Sequence, residues 1–365
     1  MDNPTLPESA VKTGRDNNFG ALRLILAVLV IVSHSSEIVD GNRSRELLTM
    51  GFGTLSFGEV AVDGFFILSG YLIAKSFIST KNIWQYYVKR ILRIVPGYIV
   101  AFLASILLVP VICDGSLPPL SFHVLASLLN QIVHLAGPNI PGILHGFPYP
   151  VANGSLWTIS WEFKCYILAS LLGLFGLFSG NRKIIVPITC VILLAIDAYM
   201  RSKLNTTTEG LGHAVKVSNV EIFCRLWAAF QFGTSFLLYS DRLKVTRPAV
   251  LLSTIAMLVL LKSPILAGAA VTLLGGYLLF YVALHCKKLK ISSFCDRIDL
   301  SYGIYLYAWP CAMIALHFYR PMHPALLFVV TTLLAIACAF GSWFVIEKPF
   351  MSLSSLLNRS TKPAT

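Results

Sequence analysis

Apolar runs of about twenty residues, broken by short polar segments, occupy most of this chain. A run of that length crosses a ~30 Å hydrocarbon layer as one helix rising 1.5 Å per residue. The pattern predicts about ten such helices, over 18–37, 59–79, 94–113, 156–179, 184–200, 218–239, 248–262, 264–284, 300–318 and 325–346. The fold class expected is therefore all-α, a polytopic membrane protein. An even number of spans puts both ends on one side. Residues 1–17 and 351–365 are predicted as tails flanking a single membrane domain over 18–350. The longest polar segment, 114–155, is expected outside. It holds a short apolar helix near 120–135, re-entrant or interfacial, and then Pro138, Pro141, Gly142, Pro148 and Pro150, which suggest an irregular cap.

Composition sharpens this picture. The 365 residues are 56% hydrophobic and 13% charged, with a mean hydropathy of +0.73, against roughly 25% charged residues in soluble domains. A net charge of +12 would suit a nucleic-acid partner, but the basic residues sit in the short segments between apolar runs. With the N-terminus inside, eighteen Lys and Arg fall on the cytoplasmic side and seven on the other, so both termini are expected to be cytoplasmic and no nucleic acid is expected. The eight cysteines are scattered through apolar runs with no His/Cys cluster, so they are expected to be small buried hydrophobes and no metal is expected. A cleavable signal peptide is not expected, because the first eighteen residues are polar and the first apolar run is long enough to span.

Ionisable residues inside the apolar runs are the candidates for chemistry, since each is costly there unless it faces a cavity or a partner. Arg23 and His34 lie eleven residues apart, within about 20° of three helical turns, so they share a face of the first helix. His34 falls towards the outer side. Asp63 and Glu162 open inward-running helices at a similar depth, roughly 6 to 9 Å below the outer surface by helical rise. An imidazole beside a carboxylate is a general base near neutral pH. The structural alternatives are a histidine bonded to a backbone carbonyl or serine, and carboxylates that complement a helix N-terminus. Lys89, Arg90 and Arg93 stand at the inner end of the third run. Two arginines three apart suit an anionic ligand, and a snorkelling topology signal is the alternative. Ser69 and Gly70 suit close helix packing, and the tyrosines of Asp299-Leu-Ser-Tyr-Gly-Ile-Tyr-Leu-Tyr307 read as interface anchors. Pro349 is expected to end the last span. Asn42, Asn153 and Asn205 match the glycosylation pattern on the outer side.

In order along the chain, these features resemble the integral-membrane acyltransferase 3 family of bacterial O-acyltransferases acting on surface polysaccharides, O-antigens and lipo-oligosaccharides. The features are Arg23 and His34, Asp63-Gly-Phe-Phe-Ile-Leu-Ser-Gly-Tyr71, Arg90-Ile-Leu-Arg93 with Pro96, Ser155-Leu-Trp157 to Glu162, Ser301-Tyr302 to Pro310, and Glu347-Lys348-Pro349. The family commonly has a second acidic residue where Phe163 stands, and a histidine before the proline where this chain has Ala308-Trp309-Pro310.

The resemblance implies a multi-pass protein of the bacterial inner membrane that uses acyl-CoA, most often acetyl-CoA, as co-substrate. Its acceptor would be a carbohydrate or lipid-linked glycan. His34 is then the expected general base, with Glu162 or Asp63 orienting it, and Arg90, Arg93, Lys89 and Arg23 would bind the donor. The alternatives from other classes are a proton-coupled transporter of a polysaccharide precursor, with His34, Glu162 and Asp63 as its relay, and an assembly subunit without activity.

Overall fold

In the computed structural model, which describes residues 17–80, 82–118, 121–208, 218–243 and 245–353, with backbone alone at 204–208, a helix lies over each of the ten apolar segments. The predicted tails fall almost wholly outside the described residues. Regular structure among the described residues is helical throughout. The helices are α1 (Phe19–Asp40), α2 (Leu47–Phe52), α3 (Phe57–Ser79), α4 (Ile83–Asp114), α5 (Phe122–Val133), α6 (Trp157–Leu174), α7 (Ile185–Thr208) and α8 (Asn219–Leu238). They continue with α9 (Arg247–Leu260), α10 (Ala267–Leu284), α11 (Lys290–Cys295), α12 (Ser301–Phe318) and α13 (Pro324–Ser342).

Six helices among the described residues are long and apolar enough to cross a membrane: Phe19–Asp40, Phe57–Ser79, Ile83–Asp114, Gly180–Lys203, Ala267–Leu284 and Pro324–Leu353. Others over the predicted spans fall short for visible reasons. α9 has 14 residues. α8 carries Glu221, Arg225 and Gln231, and α12 carries Tyr302, Tyr305, Tyr307 and His317. The last helix does not stop at Pro349. A π turn at Trp343–Glu347 already breaks the i→i−4 ladder, so the proline that follows is tolerated and the helix runs on to Leu353.

The chain forms two compact units. One comprises Met1–Leu26, Leu48–Lys81 and Trp161–Asp296; the other comprises Ala27–Leu47, Asn82–Ser160 and Arg297–Thr365. In the first, Asn18 ties the start of α1 to the chain around α10 and α11. Its amide nitrogen donates to the carbonyls of Val282 (2.9 Å) and Lys287 (3.3 Å), and its oxygen accepts from Leu289 N (2.8 Å) and Ser292 Oγ (2.6 Å). A fully buried amide is affordable only with its donors and acceptor satisfied in this way. Phe19, Tyr71, Phe236 and Phe280 form an aromatic cluster beside it. α3 starts in a capping box, in which Glu59 N donates to Ser56 Oγ (3.3 Å) and Ser56 N to Glu59 Oε2 (2.9 Å). α3 and α8 then cross at backbone distance. A Cβ on Gly70 would stand 1.9 Å from the Phe230 carbonyl oxygen, and one on Gly233 would stand 1.9 Å from that of Ile67. Small residues permit this approach, and Thr234 Oγ1 donates to the Gly70 carbonyl at 3.2 Å within it.

In the second unit, α4 packs on α12, with Gly97 against the Tyr302 ring and the Tyr302 hydroxyl donating to Ile94 O at 2.8 Å. The tyrosines of α12 are interior side chains rather than the interface anchors expected. Tyr302, Tyr305 and Tyr307 are all buried, because each hydroxyl finds a partner inside: Ile94 O, Thr158 and Ser155 O, and Ser342 respectively. Apart from α5, the described residues between α4 and α6 are irregular, as expected, and the segment is anchored. Tyr98 donates to Ala136 O (2.7 Å), Leu144 N donates to Asp114 (2.7 Å), and Arg320 stacks on Phe147 at 3.9 Å. Asn153 is 2% exposed, and its amide donates to Ser105 Oγ and Leu306 O, both at 3.0 Å, which removes it as a glycosylation acceptor. α5 presents Phe122, Leu125, Leu129 and Val133 as an exposed apolar stripe at helical spacing, the geometry of an interfacial helix.

The α3–α8 crossing generates a prediction. Gly233→Leu and Gly70→Leu each force the two backbones apart, at a cost of about 3 kcal/mol or more. Thermal unfolding in detergent is expected to show a marked fall in Tm for both, whereas Gly51→Ala, where nothing lies within 4 Å of the added carbon, is expected to leave it within a degree or two.

Candidate active site

Apolar α1 carries His34 in its fifth turn and Glu37 three residues later, so the two side chains lie on neighbouring positions of one face. His34 Nδ1 and Glu37 Oε2 are 2.7 Å apart. The other carboxylate oxygen, Oε1, faces Arg43 Nε at 3.2 Å from the loop after α1. Glu37 is buried and His34 is partly exposed. A carboxylate accepts only, so the imidazole donates from Nδ1, and in its neutral form the lone pair falls on Nε2. Trp309 of α12 closes one side of the ring edge-on, with centroids 4.7 Å apart. Its indole is itself fixed: Nε1 donates to Val151 O at 2.7 Å, Tyr149 packs at 5.5 Å, and Gly154 leaves room for the ring. Burial, with the Glu37 carboxylate adding to it, raises the Tyr149 phenol above its ordinary range and keeps it a neutral hydroxyl. The result is an oriented imidazole with a basic nitrogen, the arrangement used for taking a proton from a hydroxyl.

The other predicted residues have partners of their own. Asp63, wholly buried, accepts from Arg225 Nε at 2.9 and 3.1 Å, while Arg225 also donates to Glu59 O at 2.9 Å and pairs with its carboxylate at 3.4 Å. Arg225 lies on α8, which the sequence left as an unassigned in-span cation. Glu162 on α6 is bound by the Tyr166 hydroxyl and reached by Ser69 Oγ at 3.4 Å, so the Asp63–Tyr71 run and the Ser155–Glu162 segment meet through Ser69 and Glu162. Phe163, at the position where the family commonly has a second acid, packs near the Tyr166 ring.

Lys89, Arg90 and Arg93 all lie in the first three turns of α4, which begins eleven residues before the predicted span. Arg90 stands over the Tyr86 ring at 5.7 Å. Arg93 donates to Asp299 Oδ2 at 2.5 Å and reaches Met351 Sδ at 2.9 Å. Asp299 also accepts from Ser301 N at 3.2 Å, so one carboxylate fixes both the start of α12 and the arginine. Arg23 is half-buried on α1. Among the described residues no group of three or more His, Cys, Asp or Glu could hold a metal ion.

Sequence reasoning missed Glu37, Arg225 and Trp309, which contact the predicted site residues His34 and Asp63. The spacing signal for Glu37 was present, since His34 and Glu37 are i and i+3 in a single helix. Those for Arg225 and Trp309 depend on tertiary packing.

The fold and this site define a helical membrane protein with an imidazole oriented by a buried carboxylate. Residues 16–345 match the acyltransferase 3 family model, described as "Acyltransferase domain". Among curated relatives, the chain is 26% identical over 351 residues to an "O-acetyl transferase" of Shigella phage Sf6, covering 93% of this chain and 98% of that protein. It is also 25% identical over 384 residues to "Nodulation protein 10" of Rhizobium leguminosarum bv. viciae, covering 96% and 97%. No solved structure matches significantly. The chain belongs to the acyltransferase 3 family and is an acyltransferase. The transporter and the inactive assembly subunit give way to an enzyme.

The buried Asp63–Arg225 pair carries its own test. Asp63→Ala removes the nearer charge partner of a buried guanidinium and leaves it the Glu59 carboxylate at 3.4 Å, at up to about 3 to 5 kcal/mol, whereas replacing both members by leucine removes the buried pair together. Tm in detergent is expected to fall steeply for Asp63→Ala and to recover most of the loss in the Asp63→Leu/Arg225→Leu pair.

Proposed function

We propose that this acyltransferase is an O-acetyltransferase, moving an acetyl group from cytoplasmic acetyl-CoA to a hydroxyl of an extracytoplasmic carbohydrate or lipid-linked glycan. The membrane would be the bacterial inner membrane, crossed by about ten helices with both termini in the cytoplasm. The observation that carries the reading is the 2.7 Å contact between His34 Nδ1 and Glu37, itself braced by Arg43. The family, and the printed name of the phage relative, supply the reaction class.

His34 Nε2 takes the proton of the acceptor hydroxyl as its oxygen attacks the thioester carbonyl. When the C–S bond breaks, the imidazolium returns the proton to the departing CoA thiolate, so the base is regenerated. Glu37 holds the tautomer and stabilises the transient imidazolium, the part that the resemblance implied for Glu162 or Asp63. In this reading Asp63 neutralises Arg225, and Glu162, with the hydroxyls of Ser69 and Tyr166, is a polar group for the acceptor. Lys89 and Arg90, with Arg93 held by Asp299, bind the donor phosphates, for which guanidinium forks are suited. Arg23, on the face of α1 that carries His34, is a further cation for the donor.

Acetyl release from labelled acetyl-CoA by the purified protein tests the roles separately. His34→Ala is expected to lose about 10²- to 10⁴-fold in turnover, and Glu37→Gln about 10²-fold, each with an unchanged Tm. Arg90→Gln is expected to raise the KM for acetyl-CoA about tenfold or more while kcat changes little, the result of losing a charged contact worth roughly 1.5 to 3 kcal/mol. Near-normal turnover by a folded His34→Ala variant would remove the base from this scheme.

A further inference from the structure

One cavity in the first unit has no part in acyl transfer. It lies among α7, α8, α9 and α10, with a volume of about 480 Å³, inside the range of ~300 to 1,000 Å³ typical of small-molecule sites. Ile184, Val191, Phe232, Phe236, Leu273 and Leu274 make its walls. The few hydroxyls that face it ask little of a ligand. Ser235 Oγ already donates to Gln231 O at 2.8 Å, and Tyr277 Oη accepts from Thr246 N at 3.3 Å.

The mouth of the cavity is apolar as well. Val191 is 59% exposed, and Ile184, Leu243 and Leu273 are exposed beside it. In a membrane-embedded helix such residues face lipid tails, so the opening admits a molecule from the bilayer rather than from water. One end is cationic. The Lys183 ammonium lies 4.8 Å above the Tyr239 ring that lines the cavity, and within 3.3 Å of the carbonyl of Leu238 at the end of α8. Among the described residues, the segments that border this end hold Arg182, Lys183, Arg242 and Arg247 against the acid Asp241.

An apolar slot open to the bilayer and rimmed with cations at one end has the pattern of a long-chain amphiphile with an anionic head. We propose that this cavity binds an anionic phospholipid of the surrounding membrane, one acyl chain lying against Phe232 and Leu274 and the phosphate beside Lys183. Van der Waals packing in the slot holds the chain, and the ammonium supplies the preference for a charged headgroup. The site is independent of the acetyl-transfer reading, since it needs only that these helices lie in a membrane. A failed transferase assay leaves it untouched.

Native mass spectrometry of the full chain, released from vesicles of equal phosphatidylglycerol and phosphatidylcholine with matched chains, tests the assignment. The expected result is one retained phosphatidylglycerol per chain, at least fivefold over phosphatidylcholine. Ser235→Leu fills the slot from α8 and is expected to abolish retention of both lipids. Val191→Phe does so from α7 at a half-open position that a larger side chain can occupy without disturbing the fold, and the same loss is expected there. Lys183→Gln is expected to keep the lipid but bring the preference close to unity. Equal retention of the two lipids by the native protein, full retention by folded Val191→Phe, or displacement of the lipid by glycerol phosphate alone would each overturn the proposal.

Discussion

An imidazole carried within an apolar helix is useful only if something fixes its tautomer, and here the fixing group is built into the same helix. Glu37 lies one turn beyond His34, so the contact forms with the helix and needs no distant element to bring it in. What the tertiary structure adds is restraint. Arg43 balances the buried carboxylate, and the Trp309 indole, pinned through Val151 O, closes one face of the ring. In the neutral ring the lone pair falls on Nε2, so the proposed base rests on a local hydrogen bond defended by packing.

The same logic runs through both units. Polar groups that water would otherwise serve are given protein partners: the Asn18 amide with four, Arg225 with Asp63 and Glu59, Arg93 with Asp299, and Ser342 with Glu347 at 3.0 Å. In a low-dielectric interior each unpaired group would cost several kcal/mol, so these pairings constrain which helices can be neighbours. The glycine crossing of α3 and α8 belongs with them, because it brings Asp63 and Arg225 within reach of each other along the same pair of helices.

Much of this could be read from residue order. Apolar runs located the helices, and the eleven-residue spacing put Arg23 and His34 on one face. α8 lies within a residue of the segment expected for it, but the buried Asp63–Arg225 pair that joins it to α3 is contained in no local window. Helix ends erred where geometry is unusual: a π turn lets Pro349 lie inside a helix, and α4 begins well before its apolar core because its first turns carry the cations. The α12 tyrosines were misread because a phenol looks the same in sequence at a lipid surface or beside a buried carbonyl. Depth along a helix suggested Asp63 and Glu162 as partners for His34, since depth alone says nothing about which side chain faces which. Glu37 was within reach of helical spacing, and the search for a partner on other helices passed over it.

The central claim is the protonation pattern of one ring, and nitrogen NMR of the ¹⁵N-histidine-labelled protein reads it directly, with His34→Gln supplying the assignment. For the neutral ring the account predicts the proton on Nδ1 and a bare Nε2, a pattern that loses its bias in Glu37→Gln. A proton resting on Nε2 in the native protein, or a spectrum indifferent to Glu37, would contradict it.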